Sequence, residues 1–207
     1  MKVTVGGSYH EPGWTSVCNL IRKLKEAGHE VLAPGEEWVP VNQDDSYVRF
    51  KGEEEKSAVE LQEGFYDSME QSDAYIICNP NSYEGLAVSV EFGYATSLIL
   101  NKESNLKQIY FMEPPLGYDI FKENPEISKQ EFKEALNNNE KFKNELAYFK
   151  KFLDSSETIS YSSFGEFYND LRDLFGKVIY LEEKGVVTIG VDSLLEPKRE
   201  ENNSEGR

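Results

Sequence analysis

A chain of 207 residues with 39% hydrophobic and 13% aromatic content is long enough to bury one sizeable core, alone or with a short appendage. Its 38 acids against 22 bases leave a formal net charge of -16, so no cationic surplus exists to displace counterions from a nucleic-acid polymer or to hold an anionic membrane. A single nucleotide stays within reach, because a few backbone amides and hydroxyls suffice for one phosphate.

Lys2 to Val5 reads as a short strand, followed at once by Gly6, Gly7 and Ser8. Trp14 to Ala27 carries apolar residues at 14, 17, 18, 20, 21, 24 and 27, a helical stripe that Gly28 is suited to end. His29 to Ala33 is a second strand, and Pro34 to Gly52 a loop rich in Pro, Gly and acids. Glu53 to Gln71 opens as a charge run and closes as a helix. Ala74 to Cys78 is apolar, β-branched and aromatic, as a central parallel strand requires. Asn79, Pro80, Asn81 and Ser82 end it, since Pro cannot join the ladder and Asn and Ser favour turns. Ala87 to Leu100 returns to a helical period, and Gln108 to Met112 is a fourth strand closed by Glu113, Pro114 and Pro115. Lys129 to Leu153 reads as a long charged helix or helix pair. Its Phe132, Leu136, Phe142, Leu146, Phe149 and Phe152 are core or dimer contacts. Thr158 to Tyr161 is expected to be a short strand and Phe164 to Phe175 a helix. Lys177 to Leu181 and Val186 to Val191 read as a hairpin around Glu182 to Gly185, or as two strands of a small sheet. Ser193 to Arg207 is polar and charged, and disorder is expected there.

The alternation of strand and helix predicts an α/β fold. A Rossmann-like or flavodoxin-like parallel sheet is flanked by helices on both faces, with a helical insert and C-terminal β elements. One domain over 1–192 and a tail over 193–207 are expected. No apolar run approaches the ~20 residues of a membrane span, and MKVTVGG lacks a signal-peptide pattern, so a cytoplasmic setting without membrane partners is expected. Cys18 and Cys78 read as reduced core residues. Two histidines and two dispersed cysteines do not make a transition-metal site. The spacing after strand one is neither GxGxxG nor a Walker loop, and no cofactor is expected.

Chemistry is sought first at Glu91. Between Ala74 and Leu100 the only charged residues are Glu84 and Glu91. Val88, Val90, Phe92, Tyr94 and Ala95 surround Glu91 with apolar and aromatic groups. A carboxylate beyond the C-terminal edge of a strand sits where open α/β sheets bind ligands. With Ser89 as N-cap, Glu91 falls in the first helical turn, where the helix dipole favours its ionised form. The alternative is a solvated acid placed there by that dipole alone. Gly6, Gly7 and Ser8 are a second candidate. Glycines admit a ligand close to the backbone, Ser8 offers a hydroxyl, and the following helix presents N–H groups to an anion. A tight turn without a ligand reads equally well.

GGS after strand one, AGHEV before strand two, SDAYIICN and SVEFGYA together resemble the nucleoside 2-deoxyribosyltransferase-like family, over roughly Met1 to Pro115. That family includes base-exchanging transferases and deoxynucleoside monophosphate N-glycosidases. The most specific element is Glu91-Phe92-Gly93-Tyr94-Ala95. The resemblance implies that Glu91 is the nucleophile attacking C1′ of the sugar. It also implies an acid from the preceding helix, whose place aligns near Phe65; Asp67 is the candidate here. It places a tyrosine at the end of strand one to touch the nucleophile, where Thr4 stands, with Tyr9 as substitute. Tyr9, Asn79, Gly85 and Ser89 join Gly6, Gly7 and Ser8 as substrate-binding candidates, Ser8 and Ser89 toward a 5'-phosphate. A homodimer or larger homo-oligomer is a further implication. The expected activity is cleavage or transfer at the N-glycosidic bond of a nucleoside or its monophosphate. The alternative is a non-catalytic module that binds and senses a nucleotide.

Overall fold

Along Ala74–Cys78 successive side chains point to opposite sides of the strand, and all five residues are buried. Tyr75 and Ile77 enter one apolar cluster, Ala74, Ile76 and Cys78 the other. Such a strand must lie inside a sheet covered on both faces. The computed structural model describes residues 1–10, 13–34, 39–41, 48–80, 86–102, 104–115, 117–138 and 176–196. The strands are β1 (Lys2–Gly7), β2 (Glu30–Ala33), β3 (Ala74–Cys78), β4 (Gln108–Phe111) and β5 (Val187–Ile189). The helices are α1 (Gly13–Glu26), α2 (Ala58–Gln71), α3 (Leu86–Asn101), α4 (Tyr118–Glu123) and α5 (Lys129–Asn138), with a short helix at Asp192–Leu195. Residues 176–183 are helical as well.

All five strands run parallel in the order β2-β1-β3-β4-β5. This is the flavodoxin-like order of a doubly wound α/β sheet; the alternation of elements predicts the parallel sheet with helices on both faces, and tertiary structure sets the order. Helix α1 and the Asp192–Leu195 helix cover one face through Val17, Leu20, Ile21, Leu24 and Leu194. Helices α2 and α3 and residues 176–183 cover the other through Phe65, Met69, Phe92, Leu98 and Val178.

Local signals set the ends of the helices that frame the site. Gly28, at φ +82°, ends α1. Its N–H donates to Lys25 O, and that of His29 to Leu24 O, the paired bonds of a Schellman cap. Ser57 opens α2 with a capping box: its hydroxyl accepts from Glu60 N–H while the Glu60 carboxylate accepts from Ser57 N–H.

Four expectations change. Gly6 and Gly7 belong to β1 rather than to a loop, pairing with Ile77 and Cys78. A Cβ on Gly7 would stand 2.7 Å from Cys78 O and 3.0 Å from Val17 Cγ2, so a glycine there lets α1 lie close on the sheet. The run Lys177 to Leu181 is helical, not the first strand of a hairpin. Val178 and Leu181, three apart, are both buried while Tyr180 is 53% exposed, which is helical periodicity. A parallel β5 needs a crossover connection, and this helix supplies it; tertiary packing overrides a β-branched run. The expected tail does not begin at Ser193, because Leu194 is buried and Leu194 O bonds the His29 ring at 2.8 Å. Cys18 is exposed rather than in the core, whereas Cys78 is buried and its thiol donates to Met112 Sδ at 3.9 Å. The strand expected at Thr158–Tyr161, the helix at Phe164–Phe175, the continuation past Asn138 and the tail beyond Glu196 lie outside the described residues.

Candidate functional site

The side chains of β1 and β3 that face α2 and α3 build the site. Tyr75 lies opposite Thr4, and Ile77 opposite Gly6. Thr4 carries no chemistry of its own: its hydroxyl is buried against Ser72 Oγ at 2.7 Å, and Ser72 in turn donates to Ser68 O. Tyr75 is fully buried in an otherwise aliphatic strand, so its hydroxyl must find a partner. That partner is Glu91. The Tyr75 hydroxyl donates to Glu91 Oε2 at 2.6 Å.

Glu91 is 8% exposed. It lies in the second turn of α3, because the helix begins at Leu86 and not after Ser89. The dipole of the first turn is therefore not what sets its charge. Burial pushes the carboxyl up to about 7, against the opposing pull of hydrogen bonds from Tyr75 and Gln62. No cation among the described residues joins them. Near neutral pH the group divides between its two forms instead of staying fully ionised. The backbone of β1 closes the remaining side. A Cβ on Gly6 would fall 2.1 Å from Tyr75 Oη and 2.9 Å from Glu91 Oε2, so the pair exists only against a residue without a side chain.

From Glu91 a line of contacts leads outward between α2 and α3. Gln62 bonds both Glu91 and Tyr66. Burial, and after it the Glu91 charge, raises the Tyr66 phenol. Tyr66 stacks on Tyr94 at 4.1 Å between ring centroids. The Tyr94 hydroxyl donates to Glu70, and that bond, more than burial, pushes its phenol up to about 12.

The other expected site residues are distributed around this centre. Asp67 is exposed on α2, and its charge acts on Tyr94. Phe65, where the family resemblance places an acid, is buried edge-on against Tyr75 at 6.2 Å. Tyr9 donates to Val5 O at 3.2 Å and packs edge-on against Trp14 and Phe50, so it is Tyr75 that takes up the partnership with Glu91 expected of it. Asn79 binds the chain beyond β4 in both directions. It donates to Glu113 O at 2.8 Å and accepts from Glu113 N–H at 2.9 Å. Ser8 is half-buried against the first residue of α1; a Cβ on Gly13 would lie 2.5 Å from Ser8 Cβ. Gly85 and the Ser89 side chain lie outside the described residues. Sequence reasoning missed Tyr75 and Gln62. The available signal was a phenol inside an aliphatic strand followed by a single inward acid.

Glu91, Tyr75 and Gly6 meet beside β1 and β3, the strands between which the order of a 2-1-3-4-5 sheet reverses. In such sheets ligands bind in the crevice outside the carboxyl ends of those strands. A buried carboxyl near half-ionisation, steered by a phenol, can attack an electrophile when ionised or carry a proton when neutral. Among the described residues no group of three or more His, Cys, Asp or Glu is placed to hold a metal ion, and no helix is long and apolar enough to cross a membrane. Compared with known proteins, the chain matches no family model, no curated protein and no solved structure.

Proposed function

We propose that the protein cleaves or transfers at the N-glycosidic bond of a nucleoside or nucleoside 5'-monophosphate, with Glu91 as nucleophile. The observation that carries this reading is the buried Glu91 carboxyl held by Tyr75 against Gly6 at the strand-order reversal. The likeness of Glu91-Phe92-Gly93-Tyr94-Ala95 to the deoxyribosyltransferase-like motif supports it from the sequence. Breaking the bond develops positive charge at the anomeric carbon, an oxocarbenium-like state. Glu91 Oε attacks C1′ and the base departs with the bonding electrons, which leaves a glycosyl ester. Water or a second base then attacks C1′ and frees the carboxylate. The departing base takes up a proton, for which Asp67, exposed beyond Tyr94, is the proposed donor. Tyr75 stabilises the ionised form before attack and after release.

A second reading is a nucleotide-sensing module without turnover. The carboxyl raised to about 7 favours it, since a neutral acid donates a hydrogen bond to a ligand and does not attack it. One experiment separates the two. The protein is incubated with a panel of nucleosides and monophosphates while free base is followed by chromatography and melting by fluorescence. Base release supports the glycosidic reading. Thermal stabilisation by one compound without base release supports the sensor and removes the enzyme.

Tyr75→Phe tests the electrostatics of the site directly. Deleting the donor removes a hydrogen bond to the charged form, so the Glu91 carboxyl moves further above 7, by about one pH unit or more. The rise of base release with pH shifts upward by the same interval. A carbon-13 NMR titration of the Glu91 carboxyl reads the shift even without turnover. An unmoved titration would show that the bond contributes nothing.

A further inference from the structure

We infer that Gln62 is a positioning residue whose amide turns with the protonation of Glu91 and carries that state to Tyr66. Gln62 and Tyr66 stand four apart on α2, and Glu91 and Tyr94 three apart on α3, so each pair shares a helix face. The two faces meet. Gln62 bonds Glu91, Tyr66 stacks on Tyr94, and Gln62 bonds Tyr66 as well. Both Gln62 bonds favour the ionised form of the acid they reach, so toward each the amide presents N–H. An amide nitrogen carries two hydrogens, enough for both.

Protonation of Glu91 breaks this arrangement. The neutral acid gains an O–H which, in a buried place, needs an acceptor. Gln62 carries one beside its donor, and a half-turn of the amide sets C=O where N–H stood, with no movement of α2. Tyr66, held by the same amide, then donates its hydroxyl to the carbonyl instead of accepting. A cation at position 62 would hold Glu91 ionised and an aliphatic residue would leave it neutral, whereas an amide serves both forms. Near neutral pH burial divides Glu91 between those forms, so the place calls for that property. The other titratable groups facing the four residues are Tyr75 from β3 and, on Tyr94, Glu70 and Asp67 from α2; β1 presents the backbone of Gly6. Coupling of this kind is reciprocal. A ring nitrogen or carbonyl of a base that accepts the Tyr66 hydroxyl hydrogen keeps N–H turned toward Glu91 and favours the carboxylate. On the function proposed above, on which this consequence rests, the substrate readies its own nucleophile.

The test is an NMR titration of the full chain, with carbon-13 in the glutamate carboxyls and tyrosine Cζ and nitrogen-15 in the glutamine side chains. In the parent, the Gln62 amide and Tyr66 Cζ are expected to move with the midpoint of Glu91, about 7. Glu91→Gln, with nothing left to titrate there, should flatten both. Gln62→Met replaces a half-buried side chain by one of similar length. Glu91 should still titrate in it while the Tyr66 response is lost. The Glu91 midpoint should rise by less than in Tyr75→Phe, because both forms of the acid lose a bond with Gln62 and only the charged form loses one with Tyr75. A Gln62 amide that stays flat in the parent overturns the inference. So does a Tyr66 response that keeps its full size in Gln62→Met, where the Glu91 charge acts only through space. A midpoint raised in Gln62→Met as far as in Tyr75→Phe overturns it too, since that marks a fixed donor. Base release enters none of these readings, so the relay and the glycosidic function fail independently.

Discussion

Glu91→Gln is expected to lower base release by about 10³-fold or more while making the protein more stable above neutral pH. The loss follows from removing the attacking oxygen pair, since an amide cannot form the glycosyl ester. The gain follows from linkage. The carboxyl titrates at about 7 in the folded chain against an ordinary 4.5, so between those values the folded state holds a proton that the unfolded state has released. The stability this represents is fully present below about 4.5 and is lost as pH rises through about 7. Over that interval the loss amounts to about 3 kcal/mol. Glutamine is neutral throughout and still accepts from Tyr75, so the variant escapes the loss. Urea unfolding near the two ends of the interval checks this: parent and variant should coincide at the acid end and separate by about 3 kcal/mol at the alkaline end. Parallel curves would show that Glu91 is not held in a desolvated place.

Gly6→Ala should damage the site without replacing either functional group. The added methyl would lie 2.1 Å from Tyr75 Oη and 2.8 Å from Tyr75 Cζ, distances no real Cβ sustains. Neither side can give readily. Gly6 is paired to Ile77 in the ladder, and Tyr75 is fully buried against Phe65. Overpacking of this kind costs about 1–3 kcal/mol, and displacing Tyr75 forfeits its bond to Glu91 as well, so a total near 3 kcal/mol is expected. Thermal unfolding measures it, with Gly93→Ala as the contrast. That Cβ enters open space and should leave the fold at least as stable. The double variant Gly6→Ala/Tyr75→Phe removes the closest contact, the hydroxyl. It should therefore lose less than the two single variants together. Strict additivity would mean that the alanine clashes elsewhere.

The parallel sheet was legible because its elements announce themselves locally. Ala74–Cys78 is a run that only a doubly covered strand tolerates, and Gly28 ends α1 as its position after the apolar stripe predicts. Glu91 stood out for the same reason, as an acid among residues that seek the core. Errors arose where a segment's state depended on distant partners. Val178 and Ile179 favour a strand by themselves, but the crossover to β5 and the burial of Val178 with Leu181 make them helical. Gly6 and Gly7 read as a loop until Ile77 and Cys78 pair with them.

Apolar periodicity, caps and the alternation of strand and helix are properties of neighbours along the chain, and from them the amino-acid sequence alone determined the α/β class and singled out Glu91 as an acid among apolar residues. The company Glu91 keeps was decided only in three dimensions. Tyr75 lies 16 residues before it, Gln62 on another helix and Gly6 on another strand, and no local pattern encodes that meeting. Sheet register and the seat of α3 on β1 and β3 bring them together. The resulting desolvation, which only tertiary burial can produce, moves the carboxyl to about 7.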